Sequence, residues 1–266
     1  DDGVVWRSTN SSFARKLWEV LQGQSIYRAP MTDIAQRIAA LDWAALGQAL
    51  DQQGWAVVPR LIELAECREM ATLYAAPDGF RSHVIMQRHG FGQGEYRYFT
   101  YPLPGLVSGL RRGLYERLAP LANRWFGQMG MAADFPDAHE DFIAHCHDAG
   151  QMRPTPLLLR YGPGDYNRLH QDLYGPLVFP IQAVVLLSEP GVDFTGGELV
   201  LTEQRPRMQS RAQVVPLGQG DMVLFAVNSR PVTGTRGSYR VTMRHGVSSV
   251  WSGVRQTLGV IFHDAA

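Results

Sequence analysis

Two residues in the middle of the chain have the types and the spacing of metal ligands. His170 and Asp172 are separated by one residue, and on an extended strand two such side chains project from the same face. An imidazole and a carboxylate placed in this way supply two of the three protein ligands of a facial triad, which holds Fe(II) and leaves coordination positions open. The pair alone is a weak signal, because a structural His–Asp pair has the same pattern.

A second histidine and an arginine later in the chain supply the remaining parts of such a site. His245 completes a set of two histidines and one carboxylate, and Arg255 follows it by ten residues. Arginine carries a permanently charged, planar guanidinium that suits the distal carboxylate of a dicarboxylate cosubstrate. Arg244 is the alternative candidate for this role. Ten residues exceed one strand, so we expect a turn near Ser252-Gly253. A two-residue turn would put His245 and Arg255 on opposite faces of a hairpin. We therefore expect a loop with an odd number of residues, a bulge, or a position of His245 before the start of its strand.

Other histidines allow a second metal-site hypothesis that the spacing disfavours. The group consists of His139, Glu140, His145 and His147. On a helix, His139 and His147 lie about two turns apart, too far to share one ion, and Cys146 is expected to face the core. His263 is a second candidate for the histidine ligand, but no partner follows it, which favours a buried or substrate-side histidine.

The elements that would position these residues change character near residue 150. Before it, helical periodicity and capping residues predict helices over 33–53, 64–74, 105–125 and 138–147, with a short strand at 55–59. After it, short apolar runs at 157–159, 182–187, 198–201, 222–225 and 258–262 alternate with Gly and Pro. Helices followed by short strands indicate an α+β fold whose strands form a sandwich or barrel.

Composition limits the classes of partner. The chain has 266 residues, 45% of them hydrophobic, which is enough to bury a large core, and no apolar run is long enough for a membrane span. Its 25 basic and 25 acidic residues balance, so nucleic-acid binding would need a local basic patch. Two cysteines cannot form a disulfide scaffold, which favours a cytoplasmic protein.

Two arginine-rich segments are candidate substrate surfaces. The first contains Arg205, Arg207 and Arg211, and the second, within residues 86–99, contains Arg88, Arg97 and Tyr98. The first segment would recognise phosphate or carboxylate, unless its arginines pair with neighbouring acids. The second would stack on a base or another flat substrate, unless it is a hairpin packed on the core.

In their order along the chain, His170, Asp172, His245 and Arg255 resemble the 2-oxoglutarate/Fe(II)-dependent oxygenases. The spacing of Tyr161, Gly164 and Tyr166 ahead of the first histidine resembles the prolyl-hydroxylase branch. More narrowly, residues 54–265 resemble a bacterial family predicted to act oxidatively on damaged nucleic acids, by analogy with AlkB-like enzymes. The supporting segments are 94–99, 146–151, 170–175, 204–211 and 262–264.

The resemblance implies a double-stranded β-helix (jelly-roll) core with supporting N-terminal helices. Residues 1–30 would form an arm of unassigned role and 31–266 a single oxygenase domain, with 31–150 as mainly helical support and 151–266 as the jelly roll. His170, Asp172 and His245 would bind Fe(II), Arg255 would pair with the C5 carboxylate of 2-oxoglutarate, and Tyr161 would hydrogen-bond this cosubstrate. With O2, turnover would release succinate and CO2, and the carboxylate ligand favours hydroxylation over halogenation.

Three functions remain open at this point. The first is oxidative demethylation or hydroxylation of modified nucleobases in single-stranded or damaged nucleic acid. The second is hydroxylation of a small molecule or a protein side chain, which the zero net charge favours somewhat. The third is a jelly-roll binding or sensor module without activity, although the chain lacks none of the four residues whose loss would indicate it.

Overall fold

The computed structural model describes residues 33–76, 78–132, 134–235 and 237–266, so the predicted arm over 1–30 lies outside the described residues. The helices are α1 (Ile34–Ala39), α2 (Trp43–Gln53), α3 (Leu64–Leu73), α4 (Gly105–Gln128) and α5 (His139–Asp148). The strands are β1 (Trp55–Val58), β2 (Phe80–Ile85), β3 (Gly92–Gln93), β4 (Glu95–Phe99), β5 (Leu157–Tyr161), β6 (Tyr166–His170), β7 (Ile181–Leu186), β8 (Phe194–Gly196), β9 (Leu199–Gln204), β10 (Arg211–Val215), β11 (Met222–Ala226), β12 (Ser229–Gly234), β13 (Gly237–Val247), β14 (Val250–Gly253) and β15 (Arg255–Val260). No described helix is long and apolar enough to cross a membrane.

Two antiparallel sheets form the core, and the chain alternates between them. The first has seven strands in the order β1-β11-β7-β15-β5-β4-β2. The second has six, in the order β10-β9-β13-β6-β3, with β12 beside β13. From β5 onward, β5, β7, β11 and β15 belong to the first sheet, while β6, β9 and β13 belong to the second. This alternation is the double-stranded β-helix, so the predicted α+β jelly-roll fold is confirmed.

The period-2 geometry of the first sheet separates a helix-covered face from a cavity-lining face. On β7, Ile181 and Val185 join the same buried core as the leucines of α4, whereas Gln182 and Val184 between them line a cavity. Successive strand residues point to opposite faces, so one short strand serves both layers. The helices therefore seal one side of the sheet and leave its other side for the candidate site.

The predicted helix over 33–53 is two helices. Asp33 and Asp42 each cap one of them, since their side chains accept from the backbone N–H groups of Ala35 and Ala45 at 3.3 and 3.0 Å. A second N-cap in the middle of the predicted segment ends one helix and begins the next.

The N-terminal half also contributes β1–β4 to the sheets, which is more strand than the sequence predicted there.

The turn predicted near Ser252-Gly253 does not join two strands of one hairpin. His245 lies on β13 in the second sheet, while Arg255 lies on β15 in the first, and the intervening β14 pairs with β8. Of the expected irregularities, a register shift does occur between His245 and Val247, where β13 pairs with β6. The two residues thus face each other across the jelly roll. The expectation that a two-residue turn would put them on opposite faces of one sheet therefore does not apply.

A buried ion pair ties the C-terminal segment to the helices. Arg111 on α4 is only 2% exposed and binds Asp264 with Nη2 to Oδ1 at 2.7 Å. Its Nε donates to the Ile261 carbonyl at 2.9 Å, and His147 on α5 contacts the other oxygen of Asp264 at 2.9 Å. Burial alone would raise the pKa of Asp264, but Arg111 outweighs it and holds that pKa below its usual value.

We expect Arg111→Met to lower the free energy of unfolding by about 3–5 kcal/mol, because it leaves the buried carboxylate of Asp264 without its charge partner. Arg112→Met is the matched control, since Arg112 is 61% exposed and pairs only with surface glutamates; its effect should stay within about 0.5 kcal/mol. Urea denaturation of both variants is the measurement. Equal losses in the two variants would contradict a structural role for the buried pair.

Candidate active site

The three predicted metal ligands converge at the ends of two neighbouring strands. His170 ends β6 and pairs directly with His245 on β13, and their ring centroids are 4.1 Å apart. Asp172 follows β6 by two residues and places one carboxylate oxygen 3.5 Å from Nε2 of His170 and the other 3.3 Å from Nε2 of His245. Among the described residues, no other group of His, Cys, Asp and Glu has ligand atoms arranged to hold an ion.

The second metal-site hypothesis finds no support in the described part of the chain. His139 contacts the backbone carbonyl of Phe262 at 2.9 Å through Nε2, and His147 contacts Asp264. Cys146 is fully buried, as expected. His139 and His147 therefore fasten α5 to the C-terminal segment, while His145 is exposed, and the buried His263 takes no part in the triad.

Burial and the neighbouring imidazoles control the charge of the triad. Burial favours the neutral acid of Asp172, but the hydrogen bond from His170 and the charge of His245 outweigh it and hold its pKa well below the usual value. Burial also opposes protonation of His170, yet contact with Asp172 raises its pKa. For His245, burial and the charge of His170 lower the pKa. The result is an ionised carboxylate beside two imidazoles, a donor set that suits Fe(II).

Contacts behind the ligands orient them as in known metal sites. Nδ1 of His170 donates to the Arg168 carbonyl at 2.7 Å, which leaves Nε2 free to act as a ligand. The Tyr174 hydroxyl donates to Oδ1 of Asp172 at 2.6 Å, and its raised pKa keeps the proton on the hydroxyl. His245 differs, because its Nδ1 has no hydrogen-bond partner among the described residues, and Nε2 of Gln182 lies 3.3 Å from the same Nε2 of His245 that faces Asp172. The sequence analysis missed Tyr174 and Gln182, although Tyr174 stands in the same motif and Gln182 interrupts an apolar run.

We expect Tyr174→Phe to weaken Mn(II) or Fe(II) binding about 10- to 100-fold, because the carboxylate ligand loses the hydrogen bond that orients it. The control is Tyr115→Phe, whose hydroxyl donates to the Pro136 carbonyl away from the triad and should leave metal affinity unchanged. Calorimetric metal titration measures both. Equal affinities for Tyr174→Phe and the unaltered protein would exclude this orienting role.

Arg255 and Tyr161 face the cavity from the opposite sheet. They pair directly on β15 and β5, and both side chains are buried. The Arg255 guanidinium lies 5.6 Å from the ring centroid of Tyr161 and 6.0 Å from that of Phe194. Its Nε has no hydrogen-bond partner among the described residues, and burial lowers its pKa. A buried cation without a carboxylate is costly, so the arrangement favours an anionic ligand at this position.

One cavity of about 370 Å³ connects the two groups of residues. It is lined by the triad, Arg255 and Tyr161, and its walls are mainly apolar strand residues such as Leu159, Val184 and Leu199. Phe91, Arg168 and Leu169 also line it and are exposed to solvent. The five residues predicted to bind iron and cosubstrate therefore lie together, which is the arrangement that the sequence analysis predicted.

The residues predicted for substrate binding in segment 86–99 lie in three different environments. Arg88 is exposed next to Gly90 and Phe91, which line the cavity. Tyr98 is buried behind the cavity and packs edge-on against Tyr174, with centroids 6.3 Å apart. Arg97 points to the other face of β4, where its guanidinium lies 4.9 Å from the centroid of the Tyr74 ring.

The other arginine-rich segment, which contains Arg205, Arg207 and Arg211, does not line the cavity. Arg205 binds Glu203 at 3.1 Å, and Glu203 also binds the buried Arg230, which matches the alternative of an arginine paired with a neighbouring acid. Arg207 and Arg211 are exposed. A role for these three arginines in binding substrate stays a prediction.

Comparison with known sequences identifies one family. Residues 94–265 match the family described as "Oxygenase, catalysing oxidative methylation of damaged DNA", a shorter stretch than the 54–265 of the sequence analysis. Proteins of two Mycobacterium tuberculosis strains, both described as uncharacterised, are 49% identical over 168 residues, which cover 63% of this chain and 72% of theirs.

Solved structures show the same fold at low sequence identity. A prolyl-4-hydroxylase of Pseudomonas putida superposes with a TM-score of 0.50 at 15% identity, covering 82% of this chain and 96% of that one. An oxidoreductase of the 2OG-Fe(II) oxygenase family from Burkholderia pseudomallei gives a TM-score of 0.50 at 16% identity, with 85% and 93% covered.

Proposed function

The chain belongs to the oxygenase family described as acting on damaged DNA, and we propose that it is an Fe(II)- and 2-oxoglutarate-dependent dioxygenase that oxidises modified nucleobases. Oxidative demethylation or hydroxylation of the base would accompany release of succinate and CO2. The observation that carries the proposal is the convergence of the triad and the unpaired Arg255 in one cavity.

We further propose the cytoplasm as its compartment, since both cysteines are free and buried thiols.

His170, Asp172 and His245 would hold the iron, which when bound activates O2 for attack on a C–H bond. The hydrogen bond from His170 and the charge of His245 keep the Asp172 carboxylate ionised, and the hydroxyl of Tyr174 holds its orientation. Arg255 would bind the distal carboxylate of 2-oxoglutarate, with Tyr161 beside it as a weaker polar contact. The apolar walls of the cavity exclude water, which strengthens these charge interactions.

Hydroxylation of a small molecule or a protein side chain is the second candidate. The volume of about 370 Å³ lies near the lower end for ligand pockets, so it suits one ring or one side chain, and the net charge is zero. A sensor module without activity is not favoured, because the family is one of oxygenases.

The direct test incubates the Fe(II)-loaded protein, 2-oxoglutarate and O2 with single-stranded oligonucleotides carrying N-methylated bases. Mass spectrometry should show loss of the methyl group in step with succinate formation. Succinate with unchanged oligonucleotides would exclude these bases and turn the search to the second candidate.

Asp172→Ala should abolish turnover and metal binding while the protein stays folded.

Arg255→Gln should raise the KM for 2-oxoglutarate about 10- to 100-fold, because one charge-assisted hydrogen-bonded pair contributes roughly 1.5–3 kcal/mol. Arg244→Gln is the matched control: Arg244 precedes His245 on β13 and so points to the opposite face. Steady-state kinetics at varied 2-oxoglutarate separates the two. A raised KM in the Arg244 variant alone would show that Arg244, and not Arg255, binds the distal carboxylate of 2-oxoglutarate.

A further inference from the structure

A glycine-rich turn displays an aromatic side chain at the mouth of the cavity. Phe91, within the sequence Gly-Phe-Gly-Gln-Gly of residues 90–94, lines the cavity and yet is 49% exposed. Its ring stacks on that of His89, with centroids 5.4 Å apart and planes 21° from parallel. Leu169 beside the cavity is 48% exposed. Exposed apolar side chains that adjoin a cavity mark a surface built for a ligand.

Backbone contacts fix Phe91 relative to the metal ligands. Its N–H donates to the Met86 carbonyl at 3.2 Å, and its carbonyl accepts from the N–H of Arg168 at 2.9 Å. A Cβ at Gly92 would clash with the carbonyl oxygen of Tyr166, so only glycine lets the turn lie this close to β6. Because β6 ends at His170, the exposed ring is anchored to the strand that carries a ligand.

Two arginines place positive charge beside this ring. Arg168 is exposed, and its Nη1 donates to the Gly90 carbonyl at 3.0 Å, so its other donors are available. Arg88 is exposed and forms no hydrogen bond or ion pair with a described residue. Glu95, the acidic residue of the same segment 86–99, pairs with His83 and Arg160 instead. This is the local basic patch that a chain of zero net charge requires for nucleic acid.

We propose that the mouth platform, made of Arg88, His89, Phe91, Arg168 and Leu169, binds single-stranded nucleic acid. Phe91 stacks on a base adjacent to the one that enters the cavity, and the arginines pair with phosphates on either side. Stacking on an exposed ring requires an unpaired base, which makes a single strand the occupant rather than a duplex. The inference rests on the proposed function, because it names the surface that presents the base to the same site.

The test measures binding of a fluorescent single-stranded oligonucleotide by anisotropy, with the full chain loaded with Fe(II) and 2-oxoglutarate under anaerobic conditions. Phe91→Ala should weaken binding roughly tenfold, a usual loss for one base–aromatic stack. Phe91→Trp should bind as tightly as the unaltered protein. Trp251→Ala is the control, because Trp251 is a 74% exposed aromatic that does not line the cavity.

A second comparison locates the phosphate contacts. Arg88→Gln and Arg211→Gln each remove one exposed arginine, from the mouth platform and from the other arginine-rich segment. Only Arg88→Gln should reduce the slope of log affinity against log salt, by roughly 0.7 for a single strand. A reduced slope in Arg211→Gln alone would overturn the mouth platform and place the strand on the other surface.

These outcomes separate this inference from the proposed function. Equal affinities for Phe91→Ala and the unaltered protein, or no binding of oligonucleotide at all, would overturn the mouth platform even if succinate is formed with another substrate. Platform-dependent binding without any succinate would instead overturn the proposed activity and leave the binding surface in place. Thermal unfolding of Phe91→Ala should match the unaltered protein, since the half-exposed ring contributes little to the core.

Discussion

The pairing of β6 with β13 is the constraint on which the site depends. It sets His170 opposite His245, and a slip of one residue would turn one of the two rings to the other face of the sheet. The register shift after His245 confines the irregular backbone to the end of the pair. Asp172 leaves the ladder just beyond β6, so it reaches between the two rings without competing with strand pairing.

Buried charge is handled in two different ways in this molecule. Arg111 and Arg230 are each matched by a buried carboxylate, Asp264 and Glu203, and they connect elements distant in sequence. Arg255 is equally buried but forms no ion pair with a described carboxylate: it lies against the rings of Tyr161 and Phe194, and Glu198 acts on it only through its charge. A buried charge without an ion-pair partner is destabilising, and a bound carboxylate would remove that penalty, which is the physical basis for proposing an anionic cosubstrate at this position.

The sequence predicted that His170, Asp172 and His245 act together, because their types and order can be recognised without knowledge of the fold. It did not predict that His245 and Arg255 lie in opposite sheets, since periodicity gives a strand its faces but not its sheet. It grouped Arg97 with Tyr98, although adjacent strand residues point apart: Arg97 lies against the ring of Tyr74, and Tyr98 packs against Tyr174. Phe91 stands in the predicted stacking segment 86–99, but the sequence alone does not distinguish it from the other aromatic residues there, because its exposure depends on how closely a glycine turn approaches β6.

The connection of Arg111 to the Ile261 carbonyl has a consequence for how the chain evolves specificity. Ile261 forms part of the cavity wall, yet its backbone is held from the far side of the sheet by a helix that touches no ligand. The helical layer is therefore a second means of shaping the cavity. A change in helix packing would shift that wall without altering any residue that lines the cavity, which offers relatives with identical triads a route to cavities of different shape.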